Sequence, residues 1–357
     1  MTEVLAVDPL SPQPERLARA ADCLRRGGLV AFPTETVYGL GVHALDREAV
    51  RRLFAAKGRP ATDPLIVHVP SLALARTLVT GLPPAAVALG ARFWPGPLTL
   101  VLPRASAVPD EVTAGLDTVA VRVPAHAVAR ALLQAAGIPV AAPSANLFSR
   151  PSPTSAAHVL ADLDGRIDMV IDGGSTQVGV ESTVLDLTGT VPTVLRHGAV
   201  TIEMLRAVLP EVQAQVAMRP DTSAGDAMRS PGLLSTHYAP HTPLTLYRGD
   251  PARARAALVA AARELSGHGS RVAVLAFAEA AAGLRHAVAG SSTPTAIVEV
   301  GSLRDIATVA RRLYAALREA DALGADVILM CDVVDGDGLA AAIRDRLQRA
   351  AARIEHA

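Results

Sequence analysis

The stretch Leu29-Val30-Ala31-Phe32-Pro33-Thr34-Glu35-Thr36-Val37-Tyr38-Gly39-Leu40-Gly41 decides the class of fold. Its first four residues form a short apolar strand. Before it, Leu17, Ala20, Ala21 and Leu24 share one helical face, and Gly27-Gly28 marks the helix end. After it, a proline and two glycines bracket two hydroxyls, a carboxylate and a phenol. Helix, strand, then polar loop is the order in which an open α/β sheet builds a ligand site at its strand ends.

The same alternation continues in both directions. Residues 46–56 read as a helix begun by Asp46, which delivers the loop Lys57-Gly58-Arg59-Pro60. Strands are expected at 65–69, 98–102, 118–124 and 168–172, helices at 71–79, 83–92, 125–136, 155–162 and 201–209, and a paired hairpin at 184–187 and 193–196. Trp94-Pro95-Gly96-Pro97 is a rigid turn. Pro139-Val140-Ala141-Ala142-Pro143 leads into Ser144-Ala145-Asn146 and a proline-rich loop, Arg150-Pro151-Ser152-Pro153-Thr154. Residues 211–242 lose all period and turn to Pro, Ser, Gly, Asp and Met, the composition of a linker or lid. From Pro243 onward strands at 244–247, 272–277, 297–300 and 327–331 alternate with helices at 251–266, 303–321 and 338–353. The expected organisation is a twisted open α/β domain over 1–210, a linker or lid over 211–242, and a smaller Rossmann-like α/β domain over 243–357. No G-x-G-x-x-G stands at a strand–helix junction, so the dinucleotide fingerprint is absent.

Composition narrows the class. A chain of 357 residues exceeds one ordinary core, and 50% hydrophobic residues with mean hydropathy +0.31 supply ample surface to bury. A formal net charge of zero disfavours a bulk electrostatic nucleic-acid binder, and 3% aromatics disfavour a stacking platform for single strands. A local basic groove and a weak RNA contact stay open. Cys23 and Cys331 give neither a disulfide framework nor a metal spacing and read as small core residues. The start of the chain lacks the pattern of a leader, and no apolar run is long enough to span a membrane, so a cytoplasmic location is expected.

Of 34 Lys and Arg residues only Lys57 is a lysine. A compact, rotating ammonium at one position, in a chain that otherwise uses arginine, marks a place where the planar fork does not serve. The phosphate-loop, H-E-x-x-H and G-x-S-x-G motifs are missing. Present instead are cations and hydroxyls at successive strand ends: Thr34 and Thr36, Lys57 and Arg59, His68, Thr118 and Arg122, Ser144 and Asn146, Ser182, and Arg196. Such a scatter suits a polyphosphate and a carboxylate better than a buried nucleophile. Alternatives stand beside each. His68 shares a strand face with Ile66 and reads equally as a core histidine. Arg122 interrupts an apolar strand and needs either a partner or a ligand. Ser144 and Asn146 serve a turn as readily as a site, and Tyr238 could be a packing anchor.

In order along the chain stand PTETVYGLG, KGRP with PLIVHV, FWPGPLTLVL, TVAVRVPAH, PVAAPSAN, RPSPT, IDGG, GVESTVLDL and VLRHGA. Together these resemble the YrdC-like family, in the two-domain form of its threonylcarbamoyl-AMP synthases, where a linker ending SPGLLSTHYAP joins a second α/β domain. The resemblance implies an enzyme that joins L-threonine, bicarbonate or CO2, and ATP into threonylcarbamoyl-adenylate with release of pyrophosphate. Separate transfer proteins downstream would then modify the adenosine beside the anticodon of certain tRNAs. The family signature of Lys-x-Arg and Ser-x-Asn falls on Lys57, Arg59, Ser144 and Asn146. By the same resemblance Thr34 or Thr36, His68, Arg122, Ser182 and the backbone of Ala142 would hold threonine. Arg59, Asp63, Thr118, Ser144, Ser152 and Arg196 would hold ATP, with Tyr238 closing over it. Mg2+ would accompany the nucleotide, with no dedicated protein metal site; Asp63 suits a triphosphate only if it reaches that metal. Phe148-Ser149 stands where the family carries Ser-Gly, which points to a changed loop shape. The related carbamoyl-transfer domains of hydrogenase maturation factors carry zinc-finger and acylphosphatase-like segments that this chain lacks. A double-stranded RNA-binding module is the other alternative.

Overall fold

The structure is a computed structural model that describes residues 1–215, 228, 237–290, 293–333 and 336–357. It divides into two compact units, Met1–Phe148 with Ser152–Leu233, and Ser149–Pro151 with Leu234–Ala357. The division near residue 233 falls inside the stretch read as linker or lid. Most of that stretch, including Ser230–Thr236 of its polar end, lies outside the described residues.

The first unit is built on eleven strands. In chain order they are β1 (Glu3–Ala6), β2 (Val30–Pro33), β3 (Tyr38–His43), β4 (Ile66–His68), β5 (Leu98–Pro103), β6 (Thr118–Arg122), β7 (Val140–Ala141), β8 (Met169–Asp172), β9 (Thr183–Asp186), β10 (Thr193–Arg196) and β11 (Gln213–Ala214). Across the sheet they run β1-β8-β2-β3-β7-β4-β6-β5-β9-β10-β11. Successive side chains on a strand point to opposite faces. On one face Val67, Leu98, Leu100, Leu102, Val119 and Val121 join the main core. On the other, Ile66, Val101, Ala120, Val184 and Leu195 form a separate apolar cluster. Leu195 follows Val194 and points to the opposite face by strand alternation.

Local chemistry explains the elements next to the candidate residues. Asp46 caps the helix Arg47–Lys57 by accepting from the backbone N–H of Glu48 and Ala49, and Gly58 ends it at φ 65°. Lys57 is therefore the last helical residue and turns inward. The Trp94-Pro95 bond is cis. The indole N–H of Trp94 donates to the carbonyl of Leu98 (2.7 Å), and Gly96 N–H donates to Val123 (2.8 Å), which locks this turn against the end of β6.

The second unit holds five parallel strands, β12 (Leu244–Arg248), β13 (Val272–Phe277), β14 (Ala296–Gly301), β15 (Val327–Cys331) and β16 (Arg353–His356), ordered β14-β13-β15-β12-β16. Helices Pro251–Gly267, Ala278–Ala287, Ile306–Ala322 and Leu339–Ala350 connect them. Several elements depart from the sequence reading, among them β3, β11 and a short helix, Asp110–Thr113, none of which was expected. β1 was not foreseen, the helix expected at 71–79 breaks into Leu72–Ala75 and a tighter turn over Arg76–Leu78, and the second unit gains Ala278–Ala287 and β16. β1 and β16 are four-residue strands in which a single residue at most is buried, so neither carries a strong alternation. Among the described residues no helix is long and apolar enough to cross a membrane.

One glycine fixes the geometry near the candidate residues. A Cβ on Gly198 would stand 2.4 Å from the backbone nitrogen of Thr183 and 2.6 Å from the carbonyl oxygen of Glu181. No side chain fits that backbone-to-backbone approach. Gly198→Ala is expected to lower the urea-unfolding free energy by about 1–3 kcal/mol through forced separation of these segments. A variant as stable as the natural chain would show that the approach can relax.

Candidate active site

The side chains singled out from the sequence gather at two ends of the same central strands. At one end a row crosses the sheet. His68 and Arg122 are register partners on β4 and β6. Leu100 pairs with Val121 in the antiparallel β5–β6 ladder, so continuing by one residue sets Thr99 beside Arg122. The Thr99 hydroxyl meets that of Ser182 at 2.8 Å, and Arg196 donates to the hydroxyl of Ser182 at 3.2 Å and to its carbonyl at 3.1 Å. Five adjacent strands spaced about 4.8 Å apart therefore carry one polar row roughly 19 Å long.

Arg122 is the centre of this row and is 3% exposed. Its guanidinium donates to Glu35 (2.6 Å), to the Thr36 hydroxyl (3.0 Å) and to the Gly96 carbonyl (3.2 Å). Glu35 is fixed in turn by the N–H of Ala125 at 3.1 Å. The charge that interrupts an apolar strand thus has an internal partner, brought from the β2–β3 turn. Two of the five N–H groups of the guanidinium remain beyond these three bonds. The same turn separates the two threonines. Thr34 donates its hydroxyl proton to the carbonyl of Val37 at 2.6 Å and closes the turn. Thr36 faces Arg122.

Beside Arg122, His68 is buried and its Nδ1 lies 3.2 Å from the carbonyl of Ile66. A carbonyl only accepts, so Nδ1 carries the proton and Nε2 is the acceptor. Burial, and then the neighbouring Arg122, pull the imidazole pKa down to about 3. His68 is a neutral group at physiological pH. The Ile66 carbonyl also accepts from Ala142 N–H at 2.9 Å, which spends the donor of Ala142 and leaves its carbonyl.

The second cluster lies toward the opposite ends of β4 and β6. Lys57, 2% exposed, donates from Nζ to the carbonyl oxygens of Ser144 and Asn146. Phe148 N–H returns a bond to the Lys57 carbonyl at 2.9 Å. The Lys-x-Arg and Ser-x-Asn loops are thereby one object. Burial first, and then the Arg59 guanidinium, push the ammonium well below the usual lysine range. Arg59 is also turned inward. It pairs with the fully buried carboxylate of Asp63 at 2.8 Å and donates to the carbonyls of Asp63 (3.1 Å) and Pro64 (2.8 Å). Asp63 therefore has a cation of its own, paired through Oδ1. Among the described residues no group of three or more His, Cys, Asp or Glu side chains is arranged to hold a metal ion. Thr118 opens β6 four residues before Arg122, about 13 Å away along the strand and on the same face.

Three residues expected at the nucleotide lie away from the Lys57 cluster. Arg196 stands in the Arg122 row, against Ser182. Ser152, expected at the nucleotide, is fully buried and donates its hydroxyl to Glu181 at 2.5 Å. Tyr238, expected to close over the nucleotide, is 1% exposed inside the second unit. Its ring packs on Tyr314 at 5.5 Å, with the Arg346 guanidinium over it at 5.5 Å. That is the packing-anchor alternative, and the ring offers no free face in this conformation. Ser149, where the family pattern has glycine, holds φ 66°. That is the left-handed region, which glycine enters most readily and which serine holds here.

Sequence reasoning passed over Glu35, Gly96, Thr99 and Glu181. Glu35 and Glu181 carried a signal, since each is a carboxylate next to a candidate hydroxyl residue in an otherwise uncharged stretch. Gly96 acts through its backbone and Thr99 through register, which leave no mark in composition.

Comparison with known proteins fits this geometry. A family model described as "Telomere recombination" matches residues 22–198, and one described as "Threonylcarbamoyl-AMP synthase, C-terminal domain" matches residues 200–352. The Pyrococcus abyssi threonylcarbamoyl-AMP synthase is 43% identical over 93% of this chain and 92% of its own. The chain belongs to the threonylcarbamoyl-AMP synthase family. It is an enzyme of that type. The Bacillus subtilis threonylcarbamoyl-AMP synthase is 42% identical over 96% of this chain and 95% of its own length. The crystal structure of P. abyssi Sua5 complexed with L-threonine superposes with a TM-score of 0.90 at 41% identity, covering 100% of both chains. Both parts of the α/β architecture expected from the sequence are therefore those of the family.

Two outcomes follow from the buried charges. His68 has a folded-state pKa depressed to about 3 from the ordinary histidine value of 6.5. Its contribution to stability is complete above pH 6.5 and is lost as pH falls toward 3, because only the unfolded chain then takes up the proton. Between about pH 7 and pH 5 this amounts to roughly 2 kcal/mol. Urea unfolding of His68→Leu should show a shallower acid loss than the natural chain by that amount, and His68 resonances should not titrate in that range. Asp63→Ala leaves Arg59 buried without its carboxylate and is expected to destabilise by about 3–5 kcal/mol, with Arg59→Met/Asp63→Leu recovering much of the loss. Equal stability of the single variant and the natural chain would show that the pair is not coupled.

Proposed function

We propose that this enzyme condenses L-threonine, bicarbonate or CO2, and ATP into threonylcarbamoyl-adenylate and releases pyrophosphate. The product feeds the threonylcarbamoyl modification of tRNA through separate transfer proteins. The observation that carries the reading is the polarity of the site: carboxylate-type recognition at the Arg122 end of β4 and β6, and the Lys57–Arg59 and Ser144–Asn146 loops at the other. A molecule joining an amino acid to an adenylate needs both ends within one groove. The P. abyssi relative solved with L-threonine supports the amino-acid end.

In this reading the two remaining N–H groups of Arg122 take the threonine carboxylate, and Glu35 and Gly96 hold the guanidinium in aim. Thr36, not Thr34, stands beside it. The unprotonated Nε2 of His68 accepts from the threonine hydroxyl or ammonium without adding a positive charge that would compete for the carboxylate. The carbonyl of Ala142 is a second acceptor. The amine, once neutral, forms the N–C bond to CO2. A carbamate oxygen then forms the bond to the α-phosphorus as the bond to pyrophosphate breaks. Carbamate is unstable in water, so the rate depends on holding the partners together, an effect that can supply up to roughly 7–11 kcal/mol.

Lys57 spends two N–H groups on loop carbonyls, so at most one of its three reaches a ligand. Its first role is to hold Ser144 and Asn146 where their side chains and backbone meet the nucleotide. Arg196 and Thr118 flank the same groove. A divalent ion neutralising the polyphosphate would be Mg2+ carried by the phosphates themselves, since Asp63 is committed to Arg59.

The decisive measurement is mass spectrometry of the adenylate with parallel pyrophosphate release. Purified chain should release pyrophosphate only when L-threonine and bicarbonate are both present. Lys57→Arg should lose most of this activity, about a hundredfold or more, and unfold at a lower urea concentration than the natural chain, because a planar fork cannot satisfy two carbonyls in that space. Pyrophosphate release indifferent to threonine would overturn the reading.

A further inference from the structure

We propose that the second unit carries its own small-molecule site, for an amphipathic anion with an apolar body and one phosphate or carboxylate group. A cavity of about 470 Å³ opens at the carboxyl ends of its parallel strands. Tyr247 and Arg248 end β12, Ala276 and Phe277 end β13, Cys331 ends β15 and His356 ends β16, and all of them line it. Ligands of open parallel sheets bind at that edge, and this volume is in the range of cavities that enclose small organic molecules. Nothing in the chemistry proposed for the first unit uses these residues.

The lining sets the class of ligand. Its depth is apolar, formed by Leu258, Leu275, Phe277 and Leu284 among others. Both carboxylates on its wall are already committed. Asp332 pairs with Arg248 at 2.8 Å, and Glu279 accepts from Ser302 and from the N–H of Leu303. Arg255 also lines the cavity, is exposed to solvent, and makes no hydrogen bond or ion pair with any described residue. Asp332 is thus neutralised by Arg248, Glu279 keeps its negative charge while its oxygens are held by neutral donors, and Arg255, exposed at the cavity, is the cation left for a ligand's anion. An apolar body buried inside with its anion against Arg255 satisfies both the apolar depth and that cation.

The test uses the full chain and the dye 8-anilinonaphthalene-1-sulfonate, an aromatic body with one anionic group whose fluorescence rises on burial. One saturable site is expected. Ala280→Trp fills the cavity, and Arg255→Glu reverses the charge at its mouth. Each should raise the dye Kd about tenfold or more while the urea-unfolding midpoint stays in place. Should Ala280→Trp fail to fold, the exposed Arg255→Glu carries the test alone. 1-Naphthyl phosphate and 1-naphthaleneacetate should displace the dye, and neutral 1-naphthalenemethanol should need about tenfold more. Whichever anion displaces better names the phosphate or carboxylate source. Dye binding unchanged by the substitutions, or displacement by the alcohol as good as by the anions, overturns the proposal.

Discussion

The constraint on which the first unit depends is a buried ammonium shared between two backbone carbonyls. Lys57 closes the helix Arg47–Lys57 and donates to Ser144 and Asn146, 87 and 89 residues further along the chain. A buried lysine is expensive unless its donors are satisfied. Carbonyl oxygens satisfy it without cancelling its charge, as a carboxylate would. Burial and the Arg59 guanidinium lower its pKa, and the two bonds make a stitch that holds two loops at a fixed spacing. Because both acceptors belong to the backbone, the stitch dictates loop conformation directly, and the side chains of Ser144 and Asn146 are left for other work.

Charge balance then orders the rest. Each candidate cation of the first unit has a distinct internal arrangement: Lys57 with carbonyls, Arg59 with Asp63, Arg122 with Glu35 and Thr36, and Arg196 with Ser182. None is a free surface charge waiting for a ligand. Each is held in position by bonds that use part of its donor set. For a reaction whose catalysis is positioning and electrostatics, that matters more than raw charge, since a donor already oriented loses little freedom when the ligand arrives. The neutral His68 fits the same economy: next to Arg122, a second positive charge would be repelled, and burial keeps the imidazole uncharged.

How much of this was legible depends on where the signal lay. Asp46, Gly58 and the lone lysine are local, and they fixed the helix end and its unusual residue from sequence alone. Arg122 stood out because its strand is otherwise apolar, but its partner Glu35 lies 87 residues earlier and meets it only through the strand order β3-β7-β4-β6. No spacing rule announces a contact made by sheet order. Thr34 and Thr36 could not be separated until the turn was seen to consume the first hydroxyl. Tyr238 was legible only in part, for a different reason. Polar density in an irregular stretch suggested a lid, whereas an aromatic ring there is equally suited to anchor the stretch on Tyr314 and Arg346, and that is how it packs.

The two units also differ in how they use a sheet edge. In the first, mixed strand directions bring helix ends, turns and strand ends onto one face, so the polar row crosses the sheet through side chains of β4, β6 and β5. In the second, five strands all point one way, so every carboxyl end falls on the same edge and a cavity forms there by topology. A domain needed only as a spacer or strap has no physical reason to leave that edge hollow, since filling it with larger side chains would add buried apolar area. Small residues at Ala254, Ala276 and Ala280 keep it open, and Arg255 stands at its mouth with no hydrogen bond or ion pair to any described residue. A hollow that the sequence keeps empty at the expense of packing, beside a charge it leaves uncommitted, is the arrangement of a binding site.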